Sequence, residues 1–123
     1  MIAPMASSVL LVDDDPAFRR LVRWTLDRAG LVVVAEAATV AAASVAAHSS
    51  RPEVVLVDVG LPDGDGVTLA RELVALPWSP RVVLTSSDPD AATDEEVELS
   101  GALGFVHKSD LPGRGVELMR GPS

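Results

Sequence analysis

The sequence predicts an α/β fold: a doubly wound, five-stranded parallel sheet with helices on both faces. Three observations carry this. Five short runs rich in Val and Leu recur, at residues 9–12, 31–34, 54–57, 82–84 and 104–106, and such near-continuous apolarity marks strands covered on both sides. Segments with helical spacing separate them. Strand and helix alternate five times, which with right-handed crossovers gives a doubly wound sheet. A length of 123 residues at 48% hydrophobic content suits one domain with an ordinary core. We expect it over residues 8–120, between a flexible segment at 1–7 and a tail at 121–123.

Taken in order, the first strand runs straight into Asp13, Asp14 and Asp15. The first helix follows, with Phe18, Leu21, Val22, Thr25, Leu26 and Ala29 on one stripe. Asp15 caps it, Pro16 suits its first position and Gly30 stands where it should stop. A second, Ala-rich helix is expected around 40–47. The third is expected from about 67 to 76, stopping before Pro77, with Asp63 and Asp65 forming a turn with Gly64 and Gly66 ahead of it. In the fourth, Thr93 and Glu96 form a capping box, and Val97 and Leu99 are the strongly apolar positions. A short last helix follows Ser109 and Asp110. Trp24 and Trp78 read as packing residues, His48 as a helix-end cap, and His107 as a bystander of the strand ends. No repeat, low-complexity tract or linker interrupts the pattern.

Composition narrows the function. The absence of cysteine rules out thiol chemistry, disulfides and thiolate metal sites. Residues 1–8 carry no positive leader, and no apolar run approaches the roughly 20 residues of a membrane-spanning helix. A soluble, cytoplasmic protein is expected. A net charge of −8 argues against direct binding of nucleic acid, whose affinity comes from Lys and Arg neutralising phosphates. Nine of the ten basic residues are Arg; the tenth is Lys108.

In doubly wound folds ligands bind beyond the carboxyl ends of the strands. There the sequence places Asp13, Asp14 and Asp15, then Asp58, then Thr85 and Ser86, then His107 and Lys108. Two carboxylates about 4 Å apart repel by about 4 kcal/mol at an effective dielectric near 20. A divalent cation relieves that repulsion, and an all-oxygen donor set without His or Cys fits Mg²⁺. An aspartate beside such an ion can attack a phosphoryl group, with the metal and a lysine offsetting charge on the transferred oxygens.

The segments LLVDDDPAFRRLV, VVLVDVGLPDGDG, VVLTSS and GALGFVHKSDL, in that order and spacing, resemble the receiver domains of bacterial response regulators, the phosphorylation switches of two-component signalling. The resemblance spans nearly the whole chain and implies the flavodoxin-like strand order 2-1-3-4-5. It makes Asp58 the phosphoacceptor, Asp14 a direct Mg²⁺ ligand and Asp13 a ligand largely through water. Gly60 would contribute its carbonyl. Thr85, Ser86 and Lys108 would bind the phosphoryl oxygens. Thr85 is also the switch hydroxyl and Phe105 the switch aromatic, while Asp15 remains a cap. Where the family often has Lys-Pro with a cis bond, Ser109 follows Lys108.

The partners implied are a sensor histidine kinase or phosphotransfer protein and a downstream target met through the fourth helix, fifth strand and fifth helix. From Val82 to His107 there are six acids and no Lys or Arg. That surface is therefore expected to meet basic residues, either of a target or, as Arg114 and Arg120, of a second copy in a phosphorylation-dependent homodimer. No enzymatic turnover of an external substrate is expected. Two rivals are a pseudo-receiver that takes no phosphoryl group, and a Mg²⁺ enzyme working through Asp13 and Asp15 or through Asp63 and Asp65. The retained strand-end residues count against the first, and the acidic charge and missing acid pair against the second.

Overall fold

A computed structural model describes residues 7–121. The flexible segment and tail expected at the termini lie, except for Ser7 and Gly121, outside the described residues. The elements are β1 (Ser8–Val12), α1 (Pro16–Arg28), β2 (Val32–Ala37), α2 (Val40–Ser50), β3 (Val54–Asp58), β4 (Gly60–Leu61), β5 (Gly64–Asp65), α3 (Gly66–Val74), β6 (Arg81–Ser86), α4 (Asp94–Ser100), β7 (Gly104–His107) and α5 (Val116–Arg120). The main sheet is parallel, in the order β2-β1-β3-β6-β7. Because the hairpin β4–β5 intervenes, β6 and β7 are the fourth and fifth strands of the expected sheet, and the order matches the expected one.

Two apolar layers sandwich the sheet. Alternation along β1 and β3 sends Leu10, Val12, Val55 and Val57 to one face and Val9, Leu11, Val54 and Leu56 to the other. The first set packs with Ala43 and Ala47 of α2 and with Leu69, Ala70 and Leu73 of α3. The second packs with Val22 and Leu26 of α1 and with Val116 and Met119 of α5.

The helix signals read from the sequence are largely those the structure uses. Asp15 accepts the Ala17 N–H at 2.9 Å and Pro16 opens α1. Both halves of the Thr93–Glu96 capping box form. Asp65 caps α3 through the Val67 N–H at 3.0 Å. Asp63 does more than shape a turn. Its carboxylate reaches 23 residues back to accept the N–H groups of Val40 and Ala41, at 2.7 and 3.2 Å, and so supplements Thr39 at the start of α2.

Boundaries differ where local sequence misleads. β2 starts after Leu31 and runs on through Glu36, because pairing with β1 continues past an irregularity at which Val34 is passed over between Val33 and Ala35. The charge of Glu36 hid that extension. α2 continues three residues past Ala47, while α3 ends two residues short of Leu76. The last helix is composite, a 3₁₀ turn at Lys108–Asp110 and a π turn at Leu111–Gly115 leading into α5, since Pro112, Gly113 and Gly115 interrupt regular winding. Trp24 is a correction: it lies 60% exposed on α1 with the Arg28 guanidinium 4.9 Å over its ring, so it is not a core residue. His48 bonds back to the Ser44 carbonyl in the last turns of α2. Among the described residues no peptide bond is cis, including Lys108–Ser109.

Candidate functional site

The parallel strands bring their carboxyl ends to one rim, and the predicted residues gather there. Asp13 follows β1, Asp58 ends β3, Thr85 and Ser86 end β6, and Lys108 follows β7. Asp13 and Asp58 are only 3% and 7% exposed, while Asp14 faces solvent. One oxygen from each of Asp13, Asp14 and Asp58 lies within 4.8 Å of the other two. The Lys108 ammonium closes the cluster, 2.8 Å from Asp13 Oδ2 and 3.3 Å from Asp58 Oδ2. It also rests 4.1 Å from the centre of the Phe18 ring, an additional cation–π support for its position.

Asp13 is held from several sides. Its N–H donates to the Ala37 carbonyl of β2 at 3.0 Å, and its Oδ1 accepts the Asp15 N–H at 2.8 Å. Its own carbonyl accepts from Arg19 Nη1. Asp13 Oδ2, by contrast, is buried with no hydrogen-bond donor; Lys108 is close, but off the direction of a hydrogen bond. Asp58 Oδ1 accepts the Gly60 N–H at 3.0 Å, leaving Oδ2 facing the ammonium.

Burial pushes the Asp58 carboxyl above the usual aspartate value, and nearby Asp13 adds to that, against the opposing pull of the Gly60 N–H and Lys108. Burial also disfavours the Lys108 ammonium, but the two carboxylates outweigh it and hold its pKa above that of an ordinary lysine. The centre is therefore charged under protest. An all-oxygen donor set, two buried like charges and a buried carboxylate oxygen whose only close neighbour is an ammonium fit a hard divalent cation of the Mg²⁺ type.

Not every predicted residue turns toward this centre. Thr85 pairs with Asp58 in the ladder, but its hydroxyl is buried and donates to the Val106 carbonyl at 2.7 Å. The Ser86 hydroxyl accepts the Asp88 N–H at 3.0 Å. Phe105 is half-buried against the α2/α3 side of the core, and its carbonyl accepts from Arg114 Nη1 at 3.1 Å. His107 bridges the Ser87 carbonyl and the Ser109 hydroxyl, at 2.8 and 2.7 Å. Asp63 and Asp65 serve helix starts rather than the cluster.

The sequence reading missed three residues that shape the rim. Arg19 was one arginine among nine, and only its spacing from Arg23, one helical turn away, hinted at a shared partner. Phe18 read simply as part of the apolar stripe. Gly66 read as a turn former, yet its α-carbon lies so close to β3 that an added Cβ would stand 2.2 Å from the Asp58 carbonyl oxygen.

A doubly wound sheet with an acidic cluster and a lysine at its carboxyl rim defines a class, and sequence comparison gives the family. The chain belongs to the response regulator receiver domains, whose family pattern matches residues 9–119. It is 41% identical over 114 residues to the DNA-binding transcriptional activator DevR/DosR of Mycobacterium tuberculosis, covering 91% of this chain and 51% of that protein. It is 33% identical over 106 residues to a protein-glutamate methylesterase/protein-glutamine glutaminase of Hahella chejuensis, covering 85% of this chain and 30% of that one. The crystal structure of a LuxR-family two-component response regulator from Aurantimonas sp. SI85-9A1 superposes with a TM-score of 0.82 at 29% identity, over 91% of this chain and 81% of that one. The chain thus spans about half, or less, of the curated relatives it matches, and what they share with it is the receiver. No helix among the described residues is long and apolar enough to cross a membrane.

Proposed function

We propose that this receiver accepts a phosphoryl group on Asp58 in a Mg²⁺-dependent reaction and answers by altering the surface of α4, β7 and α5. The observation that carries the proposal is the convergence of Asp13, Asp14 and Asp58 within 4.8 Å beneath Lys108. Asp13, Asp14, Asp58 and the Gly60 carbonyl would hold the ion, which when bound screens charge on the phosphoryl oxygens. An Asp58 carboxylate oxygen attacks phosphorus, and the bond to the donor breaks. From a phosphohistidine of a sensor kinase or phosphotransfer partner, the imidazole nitrogen leaves with the electron pair and gains a proton; from acetyl phosphate, acetate leaves. Lys108 offsets charge on the transferred group as a point charge.

Thr85 then leaves the Val106 carbonyl to donate to a phosphoryl oxygen, together with Ser86, and Phe105 turns inward into the space made available. The affected surface carries Asp94, Glu95 and Glu98, all exposed, so its target presents basic residues. The chemistry is confined to self-phosphorylation and self-dephosphorylation in the cytoplasm, with no external substrate turned over.

Intact-mass spectrometry after incubation with acetyl phosphate and Mg²⁺ tests the core of this. A single phosphoryl adduct, lost in Asp58→Asn and in chelator, is expected. An adduct that survives Asp58→Asn moves the acceptor elsewhere, and none in the presence of bound Mg²⁺ favours an interaction module that takes no phosphoryl group or a receiver restricted to its own kinase.

A further inference from the structure

Arg19 and Arg23 lie one helical turn apart on α1 and converge on one acid, Glu36 of β2. Arg19 Nε donates to Glu36 Oε1 at 2.9 Å, and Arg23 donates to Oε2 through Nη2 at 2.9 Å and Nε at 3.1 Å. The other end of the Arg19 guanidinium, Nη1, donates to the backbone carbonyl of Asp13. Ala37, the residue after Glu36, meanwhile accepts the Asp13 N–H. The two polar groups of the Asp13 backbone are thus tied, one directly and one through Arg19, to adjacent residues of β2. Arg19 side-chain atoms are only 18% exposed, whereas the neighbouring Arg20 is exposed and makes no hydrogen bond or ion pair among the described residues.

Resting on the receiver reading above, we infer that Arg19 is a positioning residue for the acidic pocket, and that Glu36 is its charge compensator. Arg19 keeps the Asp13 carboxylate aimed into the cluster, where Oδ2 faces Lys108 and the place a divalent ion would take. A bare guanidinium so close to a cation site would itself repel the ion. Glu36 offsets part of the positive charge of Arg19 and Arg23 while holding the fork in place, so the clamp orients Asp13 with less opposition to the ion. A planar, rigid fork is required; a lysine at this position offers a point charge and cannot span Glu36 and the Asp13 carbonyl in the same geometry.

The test is Mg²⁺ titration by calorimetry on the full chain at two ionic strengths, alongside thermal unfolding in chelator and acetyl phosphate labelling at saturating Mg²⁺. The proteins are wild type, Arg19→Ala, Arg19→Lys, Glu36→Gln and Arg23→Ala, with Arg20→Ala as the control. Both Arg19 variants are expected to raise the Mg²⁺ Kd about tenfold, the scale seen when a group orienting a metal ligand is lost. They label at near wild-type rate once Mg²⁺ saturates, a split that general damage to the fold would not give. Glu36→Gln also weakens Mg²⁺, but its deficit shrinks as salt screens the uncompensated guanidinium, whereas the Arg19→Lys deficit persists. The Arg20→Ala control stays within about twofold of wild type, and Arg23→Ala, which leaves Glu36 to compensate Arg19 alone, binds Mg²⁺ no more weakly than wild type.

A Kd within twofold of wild type in Arg19→Lys and Arg19→Ala overturns the clamp while leaving the receiver reading intact. An equal loss in Arg20→Ala does so as well, since it reduces the effect to general electrostatics. Failure of the wild type to bind Mg²⁺ overturns both readings together.

Discussion

At the carboxyl rim of the sheet, Asp13 and Asp58 are buried with like charge, one oxygen lacks a donor, and a single lysine stands between them. The opposite rim is fastened instead. Trp78 Nε1 donates to the Pro52 carbonyl at 2.9 Å, the Arg51 guanidinium lies 4.8 Å over its ring, and His48 meets it edge-on at 6.2 Å. Arg81 joins the Met119 carbonyl at 3.0 Å, and only its Nε is buried without a partner. Both rims are built from loops between the same strands and helices. The difference teaches that one end spends stability on holding charge ready, whereas the other ties the connections together.

The largest expected effect sits at the charged rim and is purely steric. In Gly66→Ala the new methyl would meet backbone of β3 beneath Asp58, which flexible side chains cannot relieve. Urea unfolding is expected to show a loss of about 3 kcal/mol, the upper end of overpacking costs. A variant as stable as wild type would mean that α3 does not approach β3 this closely, and the contrast between the rims would lose its tightest contact.

Next comes the fastened rim. Trp78→Ala removes a half-buried aromatic, leaves the Pro52 carbonyl without its donor and takes away the Arg51 platform, for an expected cost of roughly 2 kcal/mol. Trp78→Phe keeps much of the packing and is expected to cost about 1 kcal/mol, the worth of the hydrogen bond. Neither is expected to alter the Mg²⁺ affinity measured by calorimetry. A change there would show that the two rims are coupled through the sheet.

A third variant reverses the sign. Because burial and Asp13 raise the Asp58 pKa, the ionised carboxylate opposes folding above that pKa, and stability is recovered as pH falls through it. Asp58→Asn removes the charge while retaining the shape, so in chelator at neutral pH its Tm is expected to rise by roughly 3 °C. In Mg²⁺ the gap should close, since the ion stabilises wild type by binding the folded state. A lower Tm in chelator would mean that the Lys108 pairing outweighs burial and the contact with Asp13.

Much of this contrast was legible in the sequence, for a physical reason. The strand-end residues follow apolar runs directly, and a parallel sheet leaves such residues only one rim to occupy, so Asp13, Asp58, Thr85 and Lys108 could be gathered without coordinates. Caps are local as well, which is why Asp15 and the Thr93–Glu96 pair were readable. Contacts across elements were not. Asp63 serves a helix 23 residues away, and Arg19 meets Glu36 across the helix–strand interface; no short-range pattern encodes either. The orientation of the Thr85 hydroxyl was equally hidden, since it depends on the neighbouring carbonyl of Val106. Trp24 failed differently, because it stands off the apolar stripe of α1 and size alone does not say whether an aromatic packs in the core or against a neighbouring arginine.

The smallest effect tests whether the charged rim ends at Asp13 or extends to its supports. Burial alone would raise the Glu36 pKa, but Arg23 and Arg19 overcome it and hold the carboxyl below the ordinary value of 4.5. A depressed folded pKa means that the stabilisation is fully present above the unfolded value and is lost as pH falls through the folded one. The network lies at the edge of solvent, with the Glu36 side chain 30% and the Arg23 side chain 48% exposed, and water screens it, so at neutral pH Glu36→Gln is expected to cost only a few tenths of a kcal/mol. Unfolding curves for wild type and variant should therefore differ slightly at pH 7 and converge as pH falls below the ordinary glutamate value and through the lower folded one. The Asp58→Asn gap closes in the same direction of pH but from the opposite side, the variant starting as the more stable protein. Convergence from both sides would separate a charge that supports the fold from one that the fold tolerates for its chemistry. A Glu36→Gln deficit that persisted in acid would instead assign Glu36 a packing role, and the ion network would then add nothing to stability.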